Sequence, residues 1–130
     1  MIERPRVLVV EDMDTVRRAI VRELATGFEV LEAATVDEAL SVLDRADAVV
    51  TDLDLGGGSG LDVLRQARAM RDGRVRVLIS GTADPAIIEP ALREGLAHRF
   101  VAKPWPPGHI LGILRVLLLQ APPRTDHKSA

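Results

Sequence analysis

Ala48-Val49-Val50-Thr51-Asp52-Leu53 is a short, β-branched run, apolar on consecutive residues and closing on a carboxylate. It is too short for a helix and has no polar face, so it reads as a strand covered on both sides. Val7-Leu8-Val9-Val10 repeats the pattern upstream and leads into Glu11-Asp12. Downstream, Val75-Arg76-Val77-Leu78-Ile79 leads into Ser80-Gly81, and Phe100-Val101-Ala102 into Lys103-Pro104. Phe28-Glu29-Val30-Leu31 differs, because Glu29 and the nearby Glu32 give it one wetter face, as an edge strand has.

The segments between these runs carry helix signals. Val16, Ala19, Ile20 and Leu24 fall on one helical face, with Asp14 as a candidate cap. Thr35-Val36-Asp37-Glu38 has the capping-box spacing and precedes Ala39, Leu40 and Leu43. Leu61, Leu64 and Ala67 head a third helix. Asp84-Pro85 pairs a cap with proline at the first helical position, and Gly95 closes that helix. A fifth helix begins after Pro106-Pro107 and runs to about Gln120. Strands alternating with helices imply an α/β fold, a parallel sheet with right-handed crossovers and helices on both faces. The domain is read as residues 1–120, and residues 121–130, polar with two prolines, as a disordered tail or the stub of a linker.

Composition narrows the function classes. A chain of 130 residues that is 47% hydrophobic and 28% charged fits one globular domain. Seventeen Lys and Arg against 19 Asp and Glu leave a net charge of −2, which argues against direct nucleic-acid binding by charge. The absence of cysteine excludes disulfides, thiol catalysis and thiolate zinc sites. No two of His98, His109 and His127 stand at helical ligand spacing. The longest apolar stretch, Ile110 to Leu119, is about half of what crosses a bilayer, and the first residues lack a signal-peptide core. A cytoplasmic protein without membrane insertion is expected.

In a doubly wound sheet, ligands bind beyond the carboxyl ends of the strands. That rule gathers Glu11, Asp12, Asp52, Ser80 and Lys103 on one rim, although each alone is unremarkable as a cap, a turn residue or a surface charge. Three carboxylates without His or Cys suit a hard cation, Mg²⁺ above all, which favours a phosphoryl oxygen alongside. Ser80 and Lys103 are placed to hold the remaining phosphoryl oxygens, and Asp52, between metal and lysine, is the natural nucleophile, giving an aspartyl-phosphate.

The motifs Val9-Val10-Glu11-Asp12, Ala48-Val49-Val50-Thr51-Asp52-Leu53, Gly60-Leu61-Asp62-Val63-Leu64, Val77-Leu78-Ile79-Ser80-Gly81 and Phe100-Val101-Ala102-Lys103-Pro104 follow one another in order. In that order and spacing they resemble the response-regulator receiver domains of bacterial two-component signalling, from roughly Arg6 to Gln120. The resemblance implies a flavodoxin-like sheet of order 2-1-3-4-5. Asp52 would accept a phosphoryl group from the phosphohistidine of a sensor histidine kinase or phosphotransfer protein. Mg²⁺ would be held by Asp12, Asp52 and the backbone carbonyl of Asp54, with Glu11 acting through a water. Ser80 corresponds to the switch hydroxyl, Phe100 to the switch aromatic and Lys103 to the lysine that contacts the phosphoryl group. A cis bond at Lys103-Pro104 is implied on the same grounds. The implied protein is a switch that phosphorylates itself and slowly dephosphorylates itself, rather than a conventional enzyme.

Three departures from the pattern stand out. Gly56 replaces the usual proline four residues after the acceptor, so a more mobile loop is expected there. Asp54 adds a carboxylate that could repel phosphate or orient a hydrolytic water. Glu11 replaces the commoner aspartate. Two rival functions remain. A haloacid-dehalogenase-type phosphatase would use Asp52 and Asp54 together, but its further acidic ligands normally follow the lysine, and here nothing acidic follows Lys103 until Asp126. A pseudo-receiver would keep the fold as a binding module and lose the switch, whereas all five chemical positions survive here.

Phosphorylation would be felt on the surface of the fourth helix, fifth strand and fifth helix. The fifth helix is apolar nearly all round, and Leu111, Val116 and Leu119 exceed what one buried stripe needs. They are expected to meet a second copy, a downstream partner or an output domain. Trp105 packs under the fifth helix or lies at an interface; the sequence leaves both open.

Overall fold

The computed structural model describes residues 4–70, 73–82 and 84–121. Five strands, β1 (Arg6–Val10), β2 (Glu29–Ala33), β3 (Ala48–Asp52), β4 (Val75–Ser80) and β5 (Arg99–Ala102), pair throughout in parallel, in the order β2-β1-β3-β4-β5. Five helices connect and flank them: α1 (Asp14–Leu24), α2 (Val36–Val42), α3 (Gly60–Ala69), α4 (Pro85–Arg93) and α5 (His109–Gln120). A single 3-10 turn, Leu43–Arg45, extends α2.

The unbroken apolar character of β1 and β3 now has its explanation. Alternate residues feed two separate cores, because successive strand side chains point to opposite faces. Leu8, Val10, Val49 and Leu78 pack with Ala39, Val63, Leu64, Ile88 and Ala91 under α2, α3 and α4. Val7, Val9, Val50, Val77 and Ile79 pack with Ile20, Leu24, Ile110, Leu114 and Leu117 under α1 and α5. The strand with two glutamates, β2, is indeed an edge.

The helix caps follow local chemistry. Thr35 Oγ1 accepts from the Glu38 amide at 3.1 Å, and Glu38 Oε1 in return accepts from the Ala34 amide at 2.8 Å. Asp84 Oδ1 accepts from the Ala86 amide at 3.0 Å, with Pro85 opening α4 and Gly95 following it at a φ of +74°.

Three sequence expectations are corrected. Asp14 does not cap α1: Met13 holds the cap position, and Asp14 sits in the first turn, where it pairs with Arg17 at 2.6 Å. The second strand starts at Glu29 and reaches Ala33; Phe28 precedes it as a buried plug. Leu111 is not surplus surface, since it packs half-buried against the core under α1 and α5. Val116 and Leu119, in contrast, are 50% and 87% exposed. Of the tail read from 121–130, all but Ala121 lies outside the described residues.

At the start of β4, the far end from the acidic rim, Arg76 is buried. Its guanidinium donates to the carbonyls of Leu96 at 2.9 Å, Gly95 at 2.9 Å and Arg74 at 2.7 Å. The Arg76 backbone amide donates to His98 Nδ1 at 2.9 Å. Burial, reinforced by the Arg76 charge, holds the His98 pKa below its ordinary 6.5.

Candidate functional site

Sheet register alone brings the rim residues together. Val10 lies opposite Thr51, so Glu11 and Asp52 leave neighbouring strands at one level. Asp52 faces Ile79 and Ser80 faces Ala102, so Ser80 and Lys103 follow at the same edge. The Lys103 amide donates to the Ser80 carbonyl at 3.0 Å, extending the ladder by one step.

Glu11, Asp12 and Asp52 each place a carboxylate oxygen within 4.8 Å of the others. Glu11 is wholly buried and Asp52 nearly so, while Asp12 is exposed. Lys103 Nζ donates to Glu11 Oε1 at 2.8 Å and to Asp52 Oδ2 at 3.1 Å. The Met13 amide donates to Glu11 Oε2 at 3.2 Å. Burial pushes the Glu11 carboxyl up, the Asp52 charge adds to that, and the bonds from Lys103 and Met13 offset part of it. Burial also works against the Lys103 ammonium, but its hydrogen bonds to Glu11 and Asp52, with their charges, outweigh it and leave its pKa raised.

The loop after β3 closes over this cluster. Gly56 adopts a φ of +71°, and a Cβ there would sit 3.4 Å from Asp12 Oδ2. Proline, fixed near −65°, has no access to that conformation, so glycine here serves the loop's shape. The Leu55 amide donates to the Gly58 carbonyl at 3.1 Å, and Leu55 is buried. Asp54 is exposed and lies outside the group of three close carboxylates. Ser80 is buried, its Oγ 3.2 Å from Thr82 Oγ1 and accepting from the Thr82 amide at 3.1 Å. Phe100 is half-buried on β5, opposite Leu78, against the core under α2, α3 and α4.

All the donors are oxygens and one acid stays open to solvent, so the set fits a hard divalent cation. The sequence profile of the response regulator receiver domain matches residues 7–115. The chain belongs to the response-regulator receiver family. Its receiver fold has close parallels among solved structures. A CheY-like receiver domain from Methanospirillum hungatei superposes with a TM-score of 0.82 at 25% identity, covering 91% of this chain and 96% of that one. The receiver domain of an HD-domain protein from Pseudomonas fluorescens gives 0.82 at 24% identity, covering 92% and 90%, and supports the fold alone.

Sequence relatives are longer proteins. The hydrogenase transcriptional regulatory protein HoxA of Cupriavidus necator is 32% identical over 111 residues, 84% of this receiver but 23% of that protein. A cyclic di-GMP phosphodiesterase of Thermotoga maritima is 31% identical over 75% of this receiver and 27% of its own length. The response regulator MprA of Mycobacterium avium is 32% identical over 95% of this receiver and 55% of its own length. The receiver therefore spans between about a quarter and a half of the relatives it matches. No helix among the described residues is long and apolar enough to cross a membrane.

Two contacts around the site escaped the sequence reading. Thr82 holds the Ser80 hydroxyl, a local signal legible as a second hydroxyl two positions on. Glu23 on α1 binds Trp105, 82 positions away, and no local pattern announces such a pair.

Proposed function

We propose that this receiver takes a phosphoryl group from a sensor-kinase phosphohistidine onto Asp52 and relays the event through altered surface contacts. The observation that carries the reading is one ammonium, Lys103, bonded to a nearly buried Asp52 that also stands within 4.8 Å of Glu11 and Asp12. A carboxylate oxygen of Asp52 attacks phosphorus while the P–N bond breaks, its electron pair leaving with the donor's imidazole, which takes up a proton. Lys103 then exchanges its bond to Asp52 for one to a phosphoryl oxygen, so positive charge follows the transferred negative charge. Mg²⁺, when held by Asp12, Asp52 and the Asp54 carbonyl with Glu11 through a water, supplies electrophilic neutralisation of the phosphoryl oxygens. Glu11 keeps a partner throughout, either the lysine or the hydrated metal.

Ser80 must release Thr82 to reach the phosphoryl group, and Phe100 fills the space it leaves. The outward faces of α4 and α5, with Ile87, Leu92, Val116 and Leu119 exposed, are the surface offered to a second copy, a downstream protein or an output domain. The exposed Asp54 serves the slow hydrolysis that resets the switch, and the further acids close to Asp52, Glu11 and Asp12, precede it in the chain, which counts against a phosphatase using Asp52 and Asp54 as a pair.

Incubation with Mg²⁺ and a small phosphodonor, followed by intact-mass measurement, tests the reading. A single phosphate-sized mass increase is expected, absent from Asp52→Asn and absent after chelation. Labelling that persists in Asp52→Asn, or none at all in the wild type, would refute it.

A further inference from the structure

Helix α5 has an incomplete start of its own. Its cap position is Gly108, at a φ of +79° and without a side chain to satisfy the first-turn amides. The amide of Leu111, third in the helix, instead donates to Glu23 Oε2 at 3.0 Å, a carboxylate of α1 that lies 88 positions away. The other oxygen of the same group, Glu23 Oε1, accepts from the indole Nε1 of Trp105 at 3.1 Å. Both carboxylate oxygens are thus engaged, and both bonds fall on the segment that runs from β5 into α5. The charge also sits at the positive end of the α5 dipole, where an anion is favoured.

That segment carries Lys103, two residues before Trp105. Lys103, Pro104 and Trp105 form one wall of a cleft of about 420 Å³, and Thr15, Val16 and Ala19 of α1 form the other. Glu23, on the same helix as the second wall, bonds to Trp105 of the first. We propose that Glu23 is a positioning residue for phosphoryl transfer: it clamps Trp105 and the first turn of α5 to α1 and thereby holds the Lys103 loop in register with Asp52. The inference rests on the phosphoacceptor reading above. Glu23 touches neither Asp52 nor the acidic cluster, so its effect is confined to where the ammonium is held.

Trp105 is the chain's single tryptophan, so its emission reports on the clamp directly. The test compares wild type, Glu23→Ala, Glu23→Gln and Trp105→Phe, each assayed well below its own melting temperature so that lost stability alone leaves the rates untouched. The readouts are the rate of phosphoryl uptake from a small phosphodonor, the Mg²⁺ affinity and, in the proteins that keep the indole, Trp105 emission. For Glu23→Ala a fall of about tenfold in rate is expected, because misplacing a catalytic group by a fraction of an ångström to an ångström costs about ten- to a hundredfold. Mg²⁺ affinity should stay unchanged and Trp105 emission should shift to the red. Glu23→Gln, which keeps one acceptor oxygen, should recover part of the rate. Should Glu23→Ala fail to fold, Trp105→Phe decides, since it keeps an aromatic ring and loses the N–H; its rate should fall in the same direction by a smaller factor. Wild-type rates in Glu23→Ala and Trp105→Phe overturn the clamp while leaving the phosphoacceptor reading intact. An unlabelled wild type overturns both.

Discussion

At Gly60 a Cβ atom would lie 2.0 Å from the Asp52 carbonyl oxygen and 2.9 Å from Thr51 Oγ1. The start of α3 is therefore pressed against the end of β3, and the Gly60 amide donates to the Leu53 carbonyl at 2.8 Å to hold it there. The closer contact is with rigid backbone rather than a flexible side-chain tip. Gly60→Ala is expected to cost about 3 kcal/mol in urea unfolding, the upper part of the overpacking range, and to slow labelling of Asp52 because the strand end must shift. A loss under about 1 kcal/mol would mean that α3 moves aside freely. Glu11 illustrates the same economy of space. Its longer side chain, where an aspartate is commoner, reaches Lys103 Nζ at 2.8 Å from a fully buried position.

The far end of β4 makes a pH-sensitive joint between strand and turn. Arg76 reaches the carbonyls at the close of α4, where a cation suits the helix dipole, and its amide is taken by His98 just before β5. The folded His98 pKa lies below 6.5, so the unfolded chain binds the proton more readily. Stability contributed by neutral His98 is thus complete above 6.5 and is lost as pH falls through 6.5 toward the lower folded value. Melting curves between about pH 7.5 and pH 5 should show this loss in the wild type. His98→Gln, which retains an acceptor for the Arg76 amide, should flatten that part of the profile. An unchanged slope in the variant would assign the acid sensitivity elsewhere.

Across the whole molecule, β2 and β5 are the open edges of the sheet, and the β5 side presents the apolar residues that α4 and α5 leave uncovered. Elution at high protein concentration is expected to shift toward a dimer when Mg²⁺ and phosphodonor are present. Val116→Glu combined with Leu119→Glu should abolish the shift without altering phosphate uptake. A single monomeric peak for the wild type in both states would rule out self-association through this face. The fold was legible because its signals are local: consecutive apolar residues for buried strands, glutamates for the edge strand, Thr35 and Asp84 for caps. The resemblance, in turn, supplied the strand order, and the membership of the acidic rim followed from parallel strands exposing their ends on one side. Local pattern went wrong where a tertiary contact overrides it. Leu111 looked like excess apolar surface but belongs to the α1–α5 seam, and Asp14 looked like a cap but serves Arg17. By itself, then, the order of residues determined the elements and the sheet class, since each depends on neighbours in the chain, and it marked Glu11, Asp12, Asp52, Ser80 and Lys103 as the polar groups at strand ends. Only the folded structure decided which carboxylates share Lys103, why Gly56 takes its left-handed turn, and that Glu23 caps a helix begun 86 residues later, because distances across the sheet leave no trace in sequence spacing.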